Sequence, residues 1–219
     1  MTPKLRPLDK IFAHECDLLI KKLQHEGIKN NQVLKALATV PRHLFVGDKY
    51  QAEAYENYPL PIGHGQTISQ PYIVAHMTEL LFGKRKLQKV LEVGSGCGYQ
   101  AAILSQLVEN VYSIERIEYL YELAQHNLEK LPIDNIHLVY GDGFEGIPEE
   151  APFDGIIVTA APLQIPTLLL DQLADHGRMV IPMDDGYQQV LTVIERLGSE
   201  FTYTPIEPVR FVHMLTGRA

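Results

Sequence analysis

Only two of the 219 residues are cysteines, Cys16 and Cys97. Cys97 lies inside a glycine-rich stretch, so no structural disulfide is expected and a reducing compartment fits. Basic residues are also short: 19 Lys and Arg stand against 27 Asp and Glu, a formal net charge of −8. Binding a nucleic-acid backbone requires clustered Lys and Arg, so nucleic acid is not an expected partner. No apolar run approaches the ~20 residues of a membrane span. The first ten residues mix charge and proline without the apolar centre of a secretory leader, so the expected location is cytoplasmic. No His, Cys and Asp cluster has metal-ligand spacing, and no catalytic triad is readable. The remaining composition, 46% hydrophobic and 21% charged, is ordinary for a globular protein. The length suffices for one α/β domain with a sizeable core.

Periodicity divides the chain near residue 86. Before it, Ile11–Glu26 and Asn31–Thr39 read as helices, ended by Gly27 and by the approach of Pro41. Residues 59–71 are punctuated by glycine and proline and read as a loop, and Tyr72–Leu81 resumes a helical pattern. After it, strand and helix alternate: strand 90–93, helix 100–107, strand 110–115, helix 117–131, strand 136–140 and strand 153–159. A helix over 168–173 and a strand within 177–182 follow. Residues 188–196 and 201–215 then read as antiparallel additions. Alternating β and α units predict a doubly wound, mostly parallel α/β sheet. The expected organisation is a single domain over 1–219. Residues 1–85 supply a helical cap and a loop, and 86–219 the nucleotide-binding sheet with its C-terminal strands.

The densest information lies in Val90-Leu91-Glu92-Val93-Gly94-Ser95-Gly96-Cys97-Gly98-Tyr99. A strand feeding a glycine-rich turn and then a helix is a nucleotide cradle, because glycine lets the backbone approach a ligand and the helix start offers free N–H groups. A dinucleotide fingerprint would need its third glycine at 99, where Tyr99 stands, and the Walker lysine is absent. An E-x-G-x-G-x-G turn of this kind resembles the first motif of S-adenosylmethionine (SAM) methyltransferases. Glu115 ends the next strand about 20 residues beyond Gly94, the offset at which a carboxylate meets ribose hydroxyls. Asp142 ends the third strand between Gly141 and Gly143, where a carboxylate can accept an adenine amino group. The segment 61–71 precedes this unit and can fold over its pocket. Within it, Ser69 stands where a helix is about to begin, so a capping role is also expected of it. His137 and His213 are isolated and read as structural.

From about Val33 onward the chain resembles the protein-L-isoaspartate (D-aspartate) O-methyltransferase family. The most specific segment is Leu60-Pro61-Ile62-Gly63-His64-Gly65-Gln66-Thr67-Ile68-Ser69-Gln70-Pro71, similar to the family's substrate loop. The SAM turn, Val111–Arg116, Gly141–Gly143, Phe153–Pro162 and the closing Val209-Arg210-Phe211-Val212 follow in the family's order. Departures stand at Cys97, Phe144 and His213. The resemblance implies a SAM-dependent methyltransferase domain that releases S-adenosylhomocysteine. It implies methylation of the free α-carboxylate of L-isoaspartyl residues, with D-aspartyl residues as a further substrate, and repair of the damaged chain through a succinimide. Ser69 is then the catalytic residue. Gln66, Thr67, Ile68, Glu92, Gly94, Ser95, Gly96, Gly98, Glu115, Arg116, Asp142 and Gly143 hold the cofactor. Ile62, Gly63, His64, Val209, Arg210, Phe211 and Val212 hold the substrate. The partners are isoaspartyl peptides and proteins, and a monomer is expected. Two rivals share the SAM motifs: a methyltransferase for a small molecule or a tRNA base, which would lack the 63–71 loop, and a SAM-binding module without catalysis, which has no use for Ser69 in that loop.

Overall fold

A computed structural model describes residues 10–83 and 85–219. The charged start of the chain therefore lies outside the described residues. Helices α1 (Lys10–His25) and α2 (Asn31–Thr39) form the cap. Asn30 opens α2 by accepting from the Gln32 and Val33 amides, as an N-cap should. Gly27, at φ 108°, follows α1. Helix α3 (Pro71–Phe82) starts with proline at its first turn, where the missing N–H is not needed.

The segment expected to be a loop is instead an antiparallel hairpin, β1 (Leu60–Gly63) with β2 (Gln66–Ile68). Leu60 and Ile62 point inward while Pro61 points out, so the period-two pattern is present but only three to four residues long. The turn passes through Gly63, His64 and Gly65, all at positive φ.

From residue 89 the chain builds one seven-stranded sheet from β3 (Lys89–Val93), β4 (Asn110–Glu115), β5 (Ile136–Tyr140), β6 (Phe153–Val158), β7 (Leu173–Asp184), β8 (Gln189–Leu197) and β9 (Glu200–Val209). Its spatial order is β5-β4-β3-β6-β7-β8-β9. The first five strands in that order run parallel, and β8 and β9 add antiparallel pairs. The predicted α/β class and antiparallel C-terminal additions are therefore present. Strand β7 is longer than expected. Helix α6 (Thr167–Asp171) is shorter than the predicted 168–173, and α4 spans Tyr99–Ser105. The final addition ends at Val209, not at residue 215. Its last pair is Gln189 with Val209, so β8 offers no residue beyond that point to extend the ladder.

Along β3, Val90 packs toward α3 and α4, and Leu91 and Val93 pack toward α6, the alternation a strand imposes. Helix α5 (Glu118–Glu129) packs beside α4. A Cβ on Gly98 would stand 3.4 Å from the Ala124 Cα and Cβ and 3.3 Å from Leu128 Cγ. Chain order reverses at β3: β4 and β5 lie on one side of it and β6 on the other. A crevice must open there, outside the carboxyl ends of the strands.

Candidate active site

That crevice is a cleft of about 490 Å³, within the size range of small-molecule sites, roughly 300–1,000 Å³. Its floor is the glycine turn. Gly94 sits at φ 97°, and a Cβ there would stand 2.3 Å from the Thr159 hydroxyl. That hydroxyl donates to the Val93 and Gly94 carbonyls at 3.0 and 2.9 Å. The turn is thus held open by a residue from the end of β6. Glu115 closes its far side. One carboxylate oxygen accepts the Gly96 amide at 2.9 Å, and the other accepts the Arg116 and Ile117 amides, each at 2.9 Å.

Glu92 lies beneath the turn with no solvent exposure. The Ser113 hydroxyl donates to one of its oxygens, and the Ser95 hydroxyl is 2.6 Å from that of Ser113. The other oxygen, Oε1, has no hydrogen-bond partner among the described residues. Burial pushes the Glu92 carboxyl up to about 8, against the opposing effect of the Ser113 bond. A buried carboxylate without a full set of donors is costly, and a cationic ligand in the cleft would offset that cost. SAM carries an ammonium and a sulfonium, so the donor set fits it.

The hairpin forms the roof. Ile62 Cδ1 is 3.3 Å from the position a Cβ on Gly96 would take, so β1 lies directly over the turn. Its tip leans on α5, where the His64 ring stacks on Tyr119 at 4.6 Å. Its base is tied by Arg42, which is completely buried. The Arg42 guanidinium donates to the Ser69 and Ala54 carbonyls, both at 2.8 Å, and lies 4.8 Å over the Tyr99 ring. The Ser69 side chain does not cap α3. Gln70 occupies the cap position without a side-chain bond, and Asn57 Oδ1 accepts the Tyr72 amide at 2.9 Å instead. Proline at the first turn and Asn57 together remove the need for a serine cap. The Ser69 hydroxyl therefore lines the cleft with no hydrogen bond to the described residues.

The third wall is the chain after β9. It is tied to Ala161, which donates to the Val212 carbonyl at 2.8 Å and accepts the Met214 amide at 2.9 Å. His213 is not isolated: it lines the cleft, with Nδ1 3.3 Å from the buried Asp184. His137 stacks on Tyr112 at 4.7 Å on the outer strand, as a structural histidine.

Of the residues expected from sequence, the cleft gathers Ile62, Gln66, Thr67, Ile68 and Ser69 from the hairpin side. From the floor it gathers Glu92, Gly94, Ser95, Gly96, Glu115, Arg116 and Gly143, and from the closing segment Arg210, Phe211 and Val212. Five others lie outside the lining. Gly98 serves helix packing, as described. Gly63 and His64 form the hairpin tip. Val209 is the last residue of β9 and packs against the core. Asp142 borders a neighbouring cavity, and its carboxylate accepts the Phe144 amide at 2.9 Å and the Gly217 amide at 2.5 Å. It holds the C-terminal tail. Thr159 and Met214 line the cleft without having been singled out. The rule that ligands sit at strand carboxyl ends pointed to Thr159, whereas no sequence signal pointed to Arg42.

The fold and this cleft together define a SAM-dependent methyltransferase. The family model described as protein-L-isoaspartate(D-aspartate) O-methyltransferase matches residues 14–219, and the chain belongs to that family. A protein-L-isoaspartate O-methyltransferase of Halorhodospira halophila is 52% identical over 202 residues, covering 92% of each chain. One of Hahella chejuensis is 51% identical over 199 residues, covering 91% of this chain and 94% of the relative. Among solved structures, a protein-L-isoaspartate O-methyltransferase aligns at TM-score 0.83 with 29% identity, over 90% of this chain and 65% of its own. A Plasmodium falciparum structure described as a putative member, in complex with S-adenosyl-L-homocysteine, aligns at 0.77 with 25% identity, covering 90% and 97%.

Proposed function

We propose that this chain transfers a methyl group from SAM to the free α-carboxylate of L-isoaspartyl residues in damaged proteins. The observation that carries this reading is the Ser69 hydroxyl. It has no hydrogen bond to the described residues, Ser69 lines the cleft between the cofactor floor and the closing segment, and its main chain is fixed by a buried arginine. The sparse chemistry of the cleft suits the reaction. A carboxylate is already ionised at pH 7, so no strong general base is needed to free its lone pair. Catalysis then rests on holding acceptor oxygen, methyl carbon and sulfur in line.

Glu115, Glu92 and the glycine turn are the residues that would hold the cofactor. When bound, it supplies a methyl group already activated by a sulfonium. The Ser69 hydroxyl donates a hydrogen bond to one oxygen of the substrate carboxylate and turns the other toward the methyl group. Arg210, on the rim, adds a positive charge beside an anionic substrate. An O–CH₃ bond forms as S–CH₃ breaks, and the products are a methyl ester and S-adenosylhomocysteine. Outside the enzyme the neighbouring backbone nitrogen then attacks the ester carbonyl, giving up its proton and expelling methanol. Water opens the resulting succinimide, in part to normal aspartate.

The family description also names D-aspartate, and D-aspartyl peptides are proposed as a further substrate. A monomer in the cytoplasm, acting without nucleic acid or a membrane, completes the proposal. The net charge of −8 supports the part of it that concerns nucleic acid; among the described residues no helix is long and apolar enough to cross a membrane. The deciding experiment is transfer of labelled methyl from SAM to an isoaspartyl peptide beside its aspartyl twin. Strong preference for the isoaspartyl form is expected, because in-line transfer tolerates an error of about 1 Å at a cost on the order of 100-fold. Equal rates on the twins would remove the repair reading.

A further inference from the structure

The closing segment that carries Arg210, Phe211 and Val212 leaves the sheet just where its partner strand ends. Gln189 is the first residue of β8 and pairs with Val209, so β8 offers Phe211 no strand residue to pair with. The side chain of Gln189 takes the place of one. Its Oε1 accepts the Phe211 amide at 2.5 Å, and its Nε2 donates to the Phe211 carbonyl at 3.1 Å. A primary amide has one acceptor and two N–H donors. The second donor of Gln189 reaches Asp184 Oδ2 at 3.2 Å. Asp184 is itself buried and fixed, accepting the Gly186 amide at 2.8 Å through Oδ1. The side-chain amide thus imitates one more peptide unit of the ladder, and every polar atom of that amide is used. Two residues on, the Ala161 main chain takes over the segment. Between Val209 and Val212, Gln189 is the side chain that fixes the main chain.

We propose that Gln189 is a positioning residue for substrate: it does not touch the cleft, and it sets the place of the segment against which the isoaspartyl peptide lies. This rests on the repair reading above for the identity of the substrate, but not for the bracket itself. Gln189→Met keeps the length and apolar volume of the side chain and removes all three hydrogen bonds. Peptide KM is expected to rise roughly tenfold with kcat little changed, as for lost binding shared by ground and transition states. SAM affinity by calorimetry should stay within about twofold, because the floor is held by Thr159 and Glu115, which Gln189 does not touch. Gln189→Glu keeps an acceptor for the Phe211 amide but sets a carboxylate against the Phe211 carbonyl and Asp184, so it should not restore the wild-type KM. Amide exchange of Phe211, followed without any substrate, should speed up by about tenfold or more once its acceptor is gone. Wild-type KM together with unchanged exchange in a folded Gln189→Met protein would overturn the proposal. Faster exchange in a protein whose parent does not methylate isoaspartyl peptides would instead keep the bracket and remove the repair reading.

Discussion

The floor and the roof of the cleft are built by opposite means. The floor is centred on one stretch, a strand end, a glycine turn and a helix start, joined by main-chain bonds such as Gly94 N to Ile114 O at 2.8 Å and Gly98 N to Ser95 O at 2.8 Å. It is braced by Glu115 and Thr159 from the ends of the two flanking strands. The roof is remote. The hairpin hangs on Arg42 from the cap, 27 residues upstream of the Ser69 carbonyl it holds. The closing segment hangs on Gln189, 22 residues before Phe211, and on the Ala161 main chain. A floor built on one tight turn and braced from both flanking strands tolerates little change in shape, and it suits a cofactor that is the same at every turnover. A roof held by single side chains can be adjusted one bond at a time, which suits a substrate whose flanking residues vary.

The largest expected effect belongs to the floor and comes from Glu92. Its carboxyl titrates about 4.5 in an ordinary setting and about 8 when folded, because burial disfavours its charge. The folded protein therefore holds this proton more tightly than the unfolded chain does. Below about pH 4.5 both states are protonated and nothing is lost. Between about 4.5 and 8 the unfolded chain is ionised while the folded site is not, so folding must lose stability as pH rises. The full loss is on the order of several kcal/mol. The carboxylates lowered by folding, Asp175, Asp185 and Glu195, act in the opposite sense, at the acid end. Urea midpoints of the ligand-free protein at pH 5 and pH 8 should differ, and Glu92→Gln should remove most of that difference. A wild-type midpoint that does not move over this range would show that Glu92 is ionised in the empty site.

Next comes the shape of the floor. Gly94→Ala places a methyl group 2.3 Å from the Thr159 hydroxyl at a φ of 97°, a region L-residues avoid at a cost of about 1–2 kcal/mol before any clash. SAM affinity should fall by about 100-fold or more, the equivalent of roughly 3 kcal/mol. Calorimetric titration checks it. Undiminished affinity would mean that the turn yields as readily as the roof, and the contrast between them would fail.

The same contrast explains what the sequence could reveal. Most of the floor is legible because its requirements fall on residues close by; Thr159, which braces the turn from 65 residues away, is the exception. Glycine stands where φ is positive, Glu115 ends the next strand, and Val90, Leu91 and Val93 give β3 the buried apolar residues of an inner parallel strand. The hairpin reads as a loop in the sequence because Pro61 and the glycines obscure an alternation only three to four residues long. Residues 210–215 read as strand in the sequence because Phe211 and Val212 favour one. They are not strand because β8 begins only at Gln189 and leaves them no antiparallel partner, which is a fact about a different part of the chain. Asp142 occupies the expected strand end, yet its carboxylate is taken by the Gly217 amide, and nothing near residue 142 announces that tail. Arg42 and Gln189 carry no motif at all. Each is an ordinary side chain in its own neighbourhood, and each matters through two backbone groups farther along the chain.

The smallest expected effect separates chemistry from scaffolding in the roof. Ser69 adjoins the start of α3, and a serine lost from a helix cap costs about 1 kcal/mol of stability. Here the cap position is Gln70, the Tyr72 amide is held by Asn57, and the Ser69 carbonyl, not its hydroxyl, is the group that Arg42 grips. Ser69→Ala keeps that carbonyl. Stability should therefore stay within about 0.5 kcal/mol, as for a substitution that removes no bond from the folded protein. SAM affinity should hold, since the floor is untouched. Turnover at saturating isoaspartyl peptide should fall roughly tenfold, the rate equivalent of about 1.4 kcal/mol lost from the transition state alone. A variant that melts early but turns over normally would make Ser69 a structural residue after all. The roof would then hold substrate without orienting it, and the donor that turns the carboxylate toward the methyl group would have to be sought among the main-chain amides of the closing segment.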